Sequence, residues 1–113
     1  MRPNIRAVNL EITPAIQSYI ENKMDMVEKY LGDLKVINCD FEIELTTKHH
    51  NKGDIFRAEV NLAIPGEVLW ADFTGDDLYK SIDKVKDHLS DLIRKHKEKR
   101  IAKKRIAKRK DAE

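Results

Sequence analysis

Two adjacent histidines, His49 and His50, are the first residues of this chain with the chemistry to hold a metal. Zinc needs three or four ligands converging on one point, whereas neighbours on an extended chain point apart, and no third ligand follows at a typical zinc spacing. They are expected in a solvated loop. His88 and His96 stand eight residues, about two helical turns, apart, too far to share a metal without other ligands. His88 is read as exposed and His96 as an edge residue. Cys39 alternates with apolar residues and has no obvious basic neighbour, so it reads as a small buried side chain and not a nucleophile. As the only cysteine it can form no internal disulfide. Asp83, Asp87 and Asp91 recur every four residues. A solvated helix face partnered by Lys80, Lys84 and Arg94 accounts for them better than a metal site does. Trp70 falls out of phase with its apolar neighbours and either stacks on a base or, the favoured reading, covers an open sheet near its edge. No catalytic constellation is left, so no enzyme activity, cofactor or small-molecule substrate is expected.

What remains is charge. The chain of 113 residues has a formal net charge of only +2, but residues 1 to 93 hold 11 Lys or Arg against 17 Asp or Glu. Residues 94 to 110 reverse the balance, with 11 basic side chains against Glu98 alone. Clustered cations gain counterion-release free energy against a dense row of phosphates, so the asymmetry points to RNA or DNA as the partner. A tail that merely aids solubility is the plainer alternative. The Lys97, Lys99, Arg100, Lys103, Lys104, Arg105, Lys108 and Arg109 side chains are the candidate phosphate ligands of this basic arm.

Elements that would position these groups follow from periodicity. Ile5, Ala7, Val8, Leu10 and Ile12 form a short strand-like stretch whose apolar phase switches between Ala7 and Val8, which predicts a bulge or irregular end. Thr13 caps and Pro14 opens a helix with the stripe Ile16, Ile20, Met24, Val27, Leu31, stopped by Gly32. Lys23 and Lys29 sit off that stripe. Cys39, Phe41, Ile43 and Leu45 alternate with Asp40, Glu42 and Glu44 as a half-buried strand; Thr46 to Gly53 reads as a hairpin loop. Phe56, Ala58, Val60, Leu62 and Ile64 form the third strand, Pro65-Gly66 a type II turn, and Leu69, Ala71 and Phe73 the core side of a fourth. Asp76 or Asp77 caps a long second helix with the stripe Leu78, Ile82, Val85, Leu89, Leu92 with Ile93, and His96 at its end.

The order is therefore β-α-β-β-β-α, an α+β fold with a four-stranded sheet and two helices on one face. The other face would show Asp40, Glu42, Glu44, Glu59 and Asp72 against Arg57, acidic and without the paired aromatics on which single-stranded bases stack. Phosphate contact is left to the helices and the arm. The stripe ends near His96, which divides the chain into a body, 1–97, and an arm, 98–113. Mutual repulsion among the arm's cations predicts that it is mostly unstructured when free and becomes helical on RNA. No apolar run approaches the roughly 18 residues of a membrane span and the N-terminus lacks a signal-peptide core, so no membrane contact and a cytoplasmic location are expected.

Glu11-Ile12-Thr13-Pro14-Ala15-Ile16, Glu28-Lys29-Tyr30, the run from Gly53 through Val60, Asp77-Leu78-Tyr79 and Ile82-Asp83 together resemble the ribosome hibernation factors. That family includes hibernation promoting factor and the ribosome-associated inhibitor also called protein Y. The resemblance covers nearly the whole chain. It implies a domain similar in layout to a double-stranded RNA-binding domain, whose partner is the small ribosomal subunit at the rRNA of the decoding region. There it would occupy the mRNA and tRNA channel and silence idle ribosomes. It further implies that Lys23, Lys29, Arg94, Lys95, Lys97 and Lys99 face rRNA, with Lys84 beside them and His88 contributing when protonated. Three usually basic positions depart, as Met26, His88 and Asp91, and the arm is expected to compensate. The chain ends where longer relatives continue into a dimerising domain, which marks the short type. Two outcomes stay open: pairing of ribosomes with a helper protein, or holding single ribosomes inactive. A general duplex-RNA-binding protein is the rival reading.

Overall fold

The computed structural model describes residues 1–50 and 53–112, with the side chains of 47–50 and 107–112 left out of the description. Chain order runs β1 (Asn4–Val8), α1 (Pro14–Leu31), β2 (Asn38–His50), β3 (Gly53–Ile64), β4 (Glu67–Gly75) and α2 (Leu78–Ala112). The four strands form one sheet in the order β1-β2-β3-β4. β1 and β2 are parallel and the other two pairs antiparallel. Parallel neighbours need a crossover, and α1 supplies it, while β3 and β4 are joined by the tight Pro65-Gly66 turn. This is the β-α-β-β-β-α order that the periodicities predict.

Local chemistry sets the ends of α1. The Thr13 hydroxyl accepts the Ile16 N–H at 3.2 Å, Pro14 opens the first turn, and Gly32, at φ 60°, closes the last. Ile16, Ile20, Met24, Val27 and Leu31 are all buried. They pack over the sheet face built from Cys39, Phe41, Ile43, Ala58, Val60, Leu62, Ile64, Leu69 and Ala71. The register explains that continuity: Phe41 opposes Val60, which opposes Ala71, so one cross-strand row lines the core. From α2 come Leu78, Ile82, Val85, Leu89 and Ile93. Asp77 caps that helix, accepting the Lys80 N–H at 3.0 Å.

Several expectations need correction. β1 stops at Val8 because Asn9 turns to φ 62°, the left-handed region that asparagine tolerates, so Leu10 and Ile12 pack on the core from beyond the strand. The hairpin expected from Thr46 is shorter: β2 continues to His50 and β3 begins at Gly53. Irregularities between Leu45 and Thr47, and again between Thr47 and His50, let the ladder extend where apolar alternation has already ceased. Phe73 pairs with Ala58 on the core side of the sheet but is 38% exposed, because β4 is an edge strand and this end of it lies at the rim.

The largest correction concerns the arm. α2 does not end with its apolar stripe; it runs 35 residues without a break, and the molecule measures 64 × 27 × 18 Å. Ala, Lys and Arg are strong helix formers, and that propensity outweighs the charge repulsion that predicted an unstructured arm. The extension is helical but unburied: Ile93 is the last buried residue among the described part of α2, and Ile101 and Ile106 are about half exposed. No helix among the described residues is long and apolar enough to cross a membrane.

Candidate nucleic-acid interface

On α2 the exposed groups include Lys84, His88, Lys95 and Lys99, whose spacing of four, seven and four residues stacks them along one side of the helix. Asp91 lies beside that row and is exposed as well. Past Ile93 no described residue of α2 is buried, and Lys99, Arg100, Lys103, Lys104 and Arg105 are all exposed. Five residues advance a helix by about 140° beyond one turn, so Arg100 and Arg105 look different ways and the projecting rod presents cations all round. Lys108 and Arg109 belong to the same helix, and their side chains lie outside the described residues. Lys29, in the last turn of α1, is exposed.

Lys23 differs from the others. Its ammonium sits 3.1 Å from Asp83 Oδ1 and 5.0 Å above the Tyr19 ring, with the side chain only 20% exposed. The Tyr19 hydroxyl donates to the same Asp83 oxygen at 2.6 Å, and the ring meets Tyr79 edge-on at 4.8 Å. The Asp83 bond and then burial push the Tyr19 phenol up to about 12. Burial alone would raise the Asp83 carboxyl, but Tyr19 and Lys23 more than offset it and hold it below its usual value. Asp83 is therefore drawn to α1 at a half-exposed seam and is not partnered by Lys80 or Lys84, which corrects the partners assigned to it from its spacing. Asp87 pairs with Lys86 at 2.7 Å, and only Asp91 meets its expected partner Arg94, loosely, at 3.5 Å. Tyr19 went unremarked in the sequence, since neither its type nor its spacing marks a bond between helices.

Lys97 is held too. Its Nζ comes within 3.2 Å of where a Cβ on Gly32 would stand, at the C-terminal end of α1, where the helix dipole favours a cation. Gly32 thus combines a left-handed φ with room for this neighbour.

The opposite face of the sheet is acidic but partly neutralised. Arg6 meets Glu42 at 2.6 Å, and Arg57 bridges Glu59 at 2.7 Å and Asp72 at 3.0 Å. Trp70 lies on this face with its indole N–H on Glu59 at 2.8 Å, the covering role favoured above. The Trp70 bond, against the effect of burial and with help from Arg57, keeps the Glu59 carboxyl low. Cys39 is buried, and burial followed by Asp40 pushes its thiol up to about 11, so it is a protonated core side chain at neutral pH. Side chains of His49 and His50 lie outside the described residues. Among the described residues no three His, Cys, Asp or Glu side chains gather as metal ligands.

Comparison with known proteins places this geometry among relatives. The family described as sigma 54 modulation protein / S30EA ribosomal protein matches residues 4–101. The ribosome hibernation promotion factor of Lactococcus lactis is 35% identical over 94 residues, covering 83% of this chain and 48% of that protein. That of Bacillus subtilis is 30% identical over 88% of this chain and 50% of its own length. The chain thus spans about half the length of these curated relatives. Among solved structures, the N-terminal domain of Thermus thermophilus protein Y superposes with a TM-score of 0.71 at 28% identity, over 85% of this chain and 99% of that one.

Proposed function

The chain belongs to the sigma 54 modulation protein / S30EA ribosomal protein family, and from that premise we propose that it is a ribosome hibernation factor. It binds the small ribosomal subunit in the mRNA and tRNA channel and blocks translation in idle or stressed cells by occupying that space, without turnover. Its partner surface is the rRNA of the decoding region, and its place of work the cytoplasm. Residues 1–97 are the binding domain and 98–113 its basic arm.

The observation that carries this reading is the second half of α2, a helical rod whose described cations are exposed all round and which leaves an otherwise acidic body. Phosphates attract the rod and are repelled by the open sheet face, so the charge distribution orients the molecule with its helices toward RNA. Lys29, Lys84, Lys95 and Lys99 form no ion pair among the described residues, which leaves their ammonium groups to rRNA phosphates. Lys23 acts from a fixed position, braced by Asp83, and the Lys97 ammonium lies beside Gly32. His88 adds a cation when protonated.

Competition and preloading test the mechanism. The chain should prefer intact small subunits over bulk duplex RNA in equal phosphate excess, and a subunit preloaded with mRNA and initiator tRNA should no longer bind it. Undiminished binding to the loaded subunit would sink the steric mechanism, and equal binding to bulk duplex would make the protein a general RNA coater.

A further inference from the structure

Where α2 passes the end of the body, it forms a groove of about 480 Å³ with the α1–β2 connection and the β3–β4 turn. Leu34 and Pro65 give it apolar walls, and Lys35, Lys99, Arg100 and Lys103 surround it with cations. Two carboxylates also line it, Asp33 and Glu67, but Glu67 is engaged by His96 Nδ1 at 2.5 Å. That bond ties the turn to α2. None of the four cations joins an ion pair among the described residues: those of α2 engage Asp83, Lys86 with Asp87, Arg94 with Asp91, and His96.

A second groove of about 590 Å³ runs between Tyr30 and Ile101 and provides the contrast. Its cations, Lys86, Arg94 and Lys97, are matched by Asp87, Asp91 and Glu98, and two of the three are already paired. An anion gains little there. In the first groove an incoming phosphate meets four uncommitted cations and one free carboxylate, while the sugar or base attached to it can lie against Leu34 and Pro65.

We propose that this groove is a phosphate cradle for a sugar-phosphate chain, with Lys35 as a ligand beside Lys99, Arg100 and Lys103. The Glu67–His96 bond is the strut that keeps its walls together. Taking that chain to be rRNA rests on the hibernation reading, but the cradle itself is a property of the fold. Lys35 lies outside the basic run and has acidic and apolar neighbours in sequence; only the path of the connection brings it to α2.

The test compares the full chain with Lys35→Gln and with Lys80→Gln, an exposed lysine at the other end of α2 that lines no part of the groove. Binding to the small subunit is measured at several salt concentrations, and amide shifts are followed by NMR on adding a short single-stranded RNA oligonucleotide. Losing one phosphate contact should lower the slope of log affinity against log salt by roughly 0.7–0.9 in Lys35→Gln. Lys80→Gln should leave it unchanged. The oligonucleotide should shift the amides around Lys35, Lys99 and Arg100 in the parent chain and much less in Lys35→Gln. An unchanged slope in Lys35→Gln, or an equal loss in Lys80→Gln, overturns the cradle and leaves the hibernation reading standing. Conversely, oligonucleotide shifts at the groove in a protein that ignores the small subunit would support the cradle and overturn the hibernation reading.

Discussion

Asp83 shows how one side chain can decide what another is free to do. It receives the Tyr19 hydroxyl and the Lys23 ammonium at once, joining α1 to α2 at a half-exposed seam. Solvent screening at a side chain 39% exposed limits the ion pair, and the whole cluster is worth about 0.5–1 kcal/mol. Replacing Asp83→Asn should lower Tm by roughly 2–8 °C at pH 7. The acid dependence carries the sign of the shift. Because the folded carboxyl is held below its unfolded value, its contribution is complete at neutral pH and is lost as pH falls through the folded pKa. Melting curves of the parent and Asp83→Asn should therefore draw together as pH falls through and below the usual carboxylate range. A gap that stays constant with pH would mean that the carboxylate charge is not what stabilises the seam.

At the scale of elements, α2 is two helices in one. Its first half is ordered by packing, with Leu78, Ile82, Val85, Leu89 and Ile93 buried, while beyond the His96–Glu67 bond its helix rests mainly on propensity. A chain ending at Lys99 should keep a cooperative melt within a few degrees of the full protein, since it removes no buried residue. Loss of cooperativity would show that the extension packs on the body in solution. The apolar stripes of both helices, the Thr13 cap and the strand alternation were readable because each is local: a period of 3.6 or 2 appears directly in sequence. Helix beyond residue 97 was missed because repulsion and propensity oppose each other there and no apolar period arbitrates. Longer hairpin strands were missed because backbone pairing, not side-chain pattern, extends them.

For the molecule as a whole, the decisive feature is the separation of charge along its 64 Å length. If about six phosphates are neutralised on the small subunit, affinity should fall by roughly a thousandfold between 50 and 200 mM salt. Replacing Lys103, Lys104, Arg105, Lys108 and Arg109 together by Gln should flatten that slope with no change in the body's melt, because none of the five belongs to the buried stripe. Filter binding across a salt series measures it. An unchanged slope would return the grip to Lys29 and the row from Lys84 to Lys99.

By itself the sequence determined the order of elements, the side of the sheet that is buried, and the run of residues that carries the positive charge. All three depend on spacing along the chain, through backbone periodicity and summed charge. Tertiary structure alone decided which cations are free. Lys23 and Lys97 look like Lys29 and Lys99 on paper, yet Asp83 braces one and the other lies beside Gly32 at the end of α1, while Lys35 is carried from an unremarkable loop to the side of Arg100. A lysine's availability depends on which carboxylate or helix end comes within a few ångströms of its ammonium, and those neighbours are set by how helices cross and connections turn.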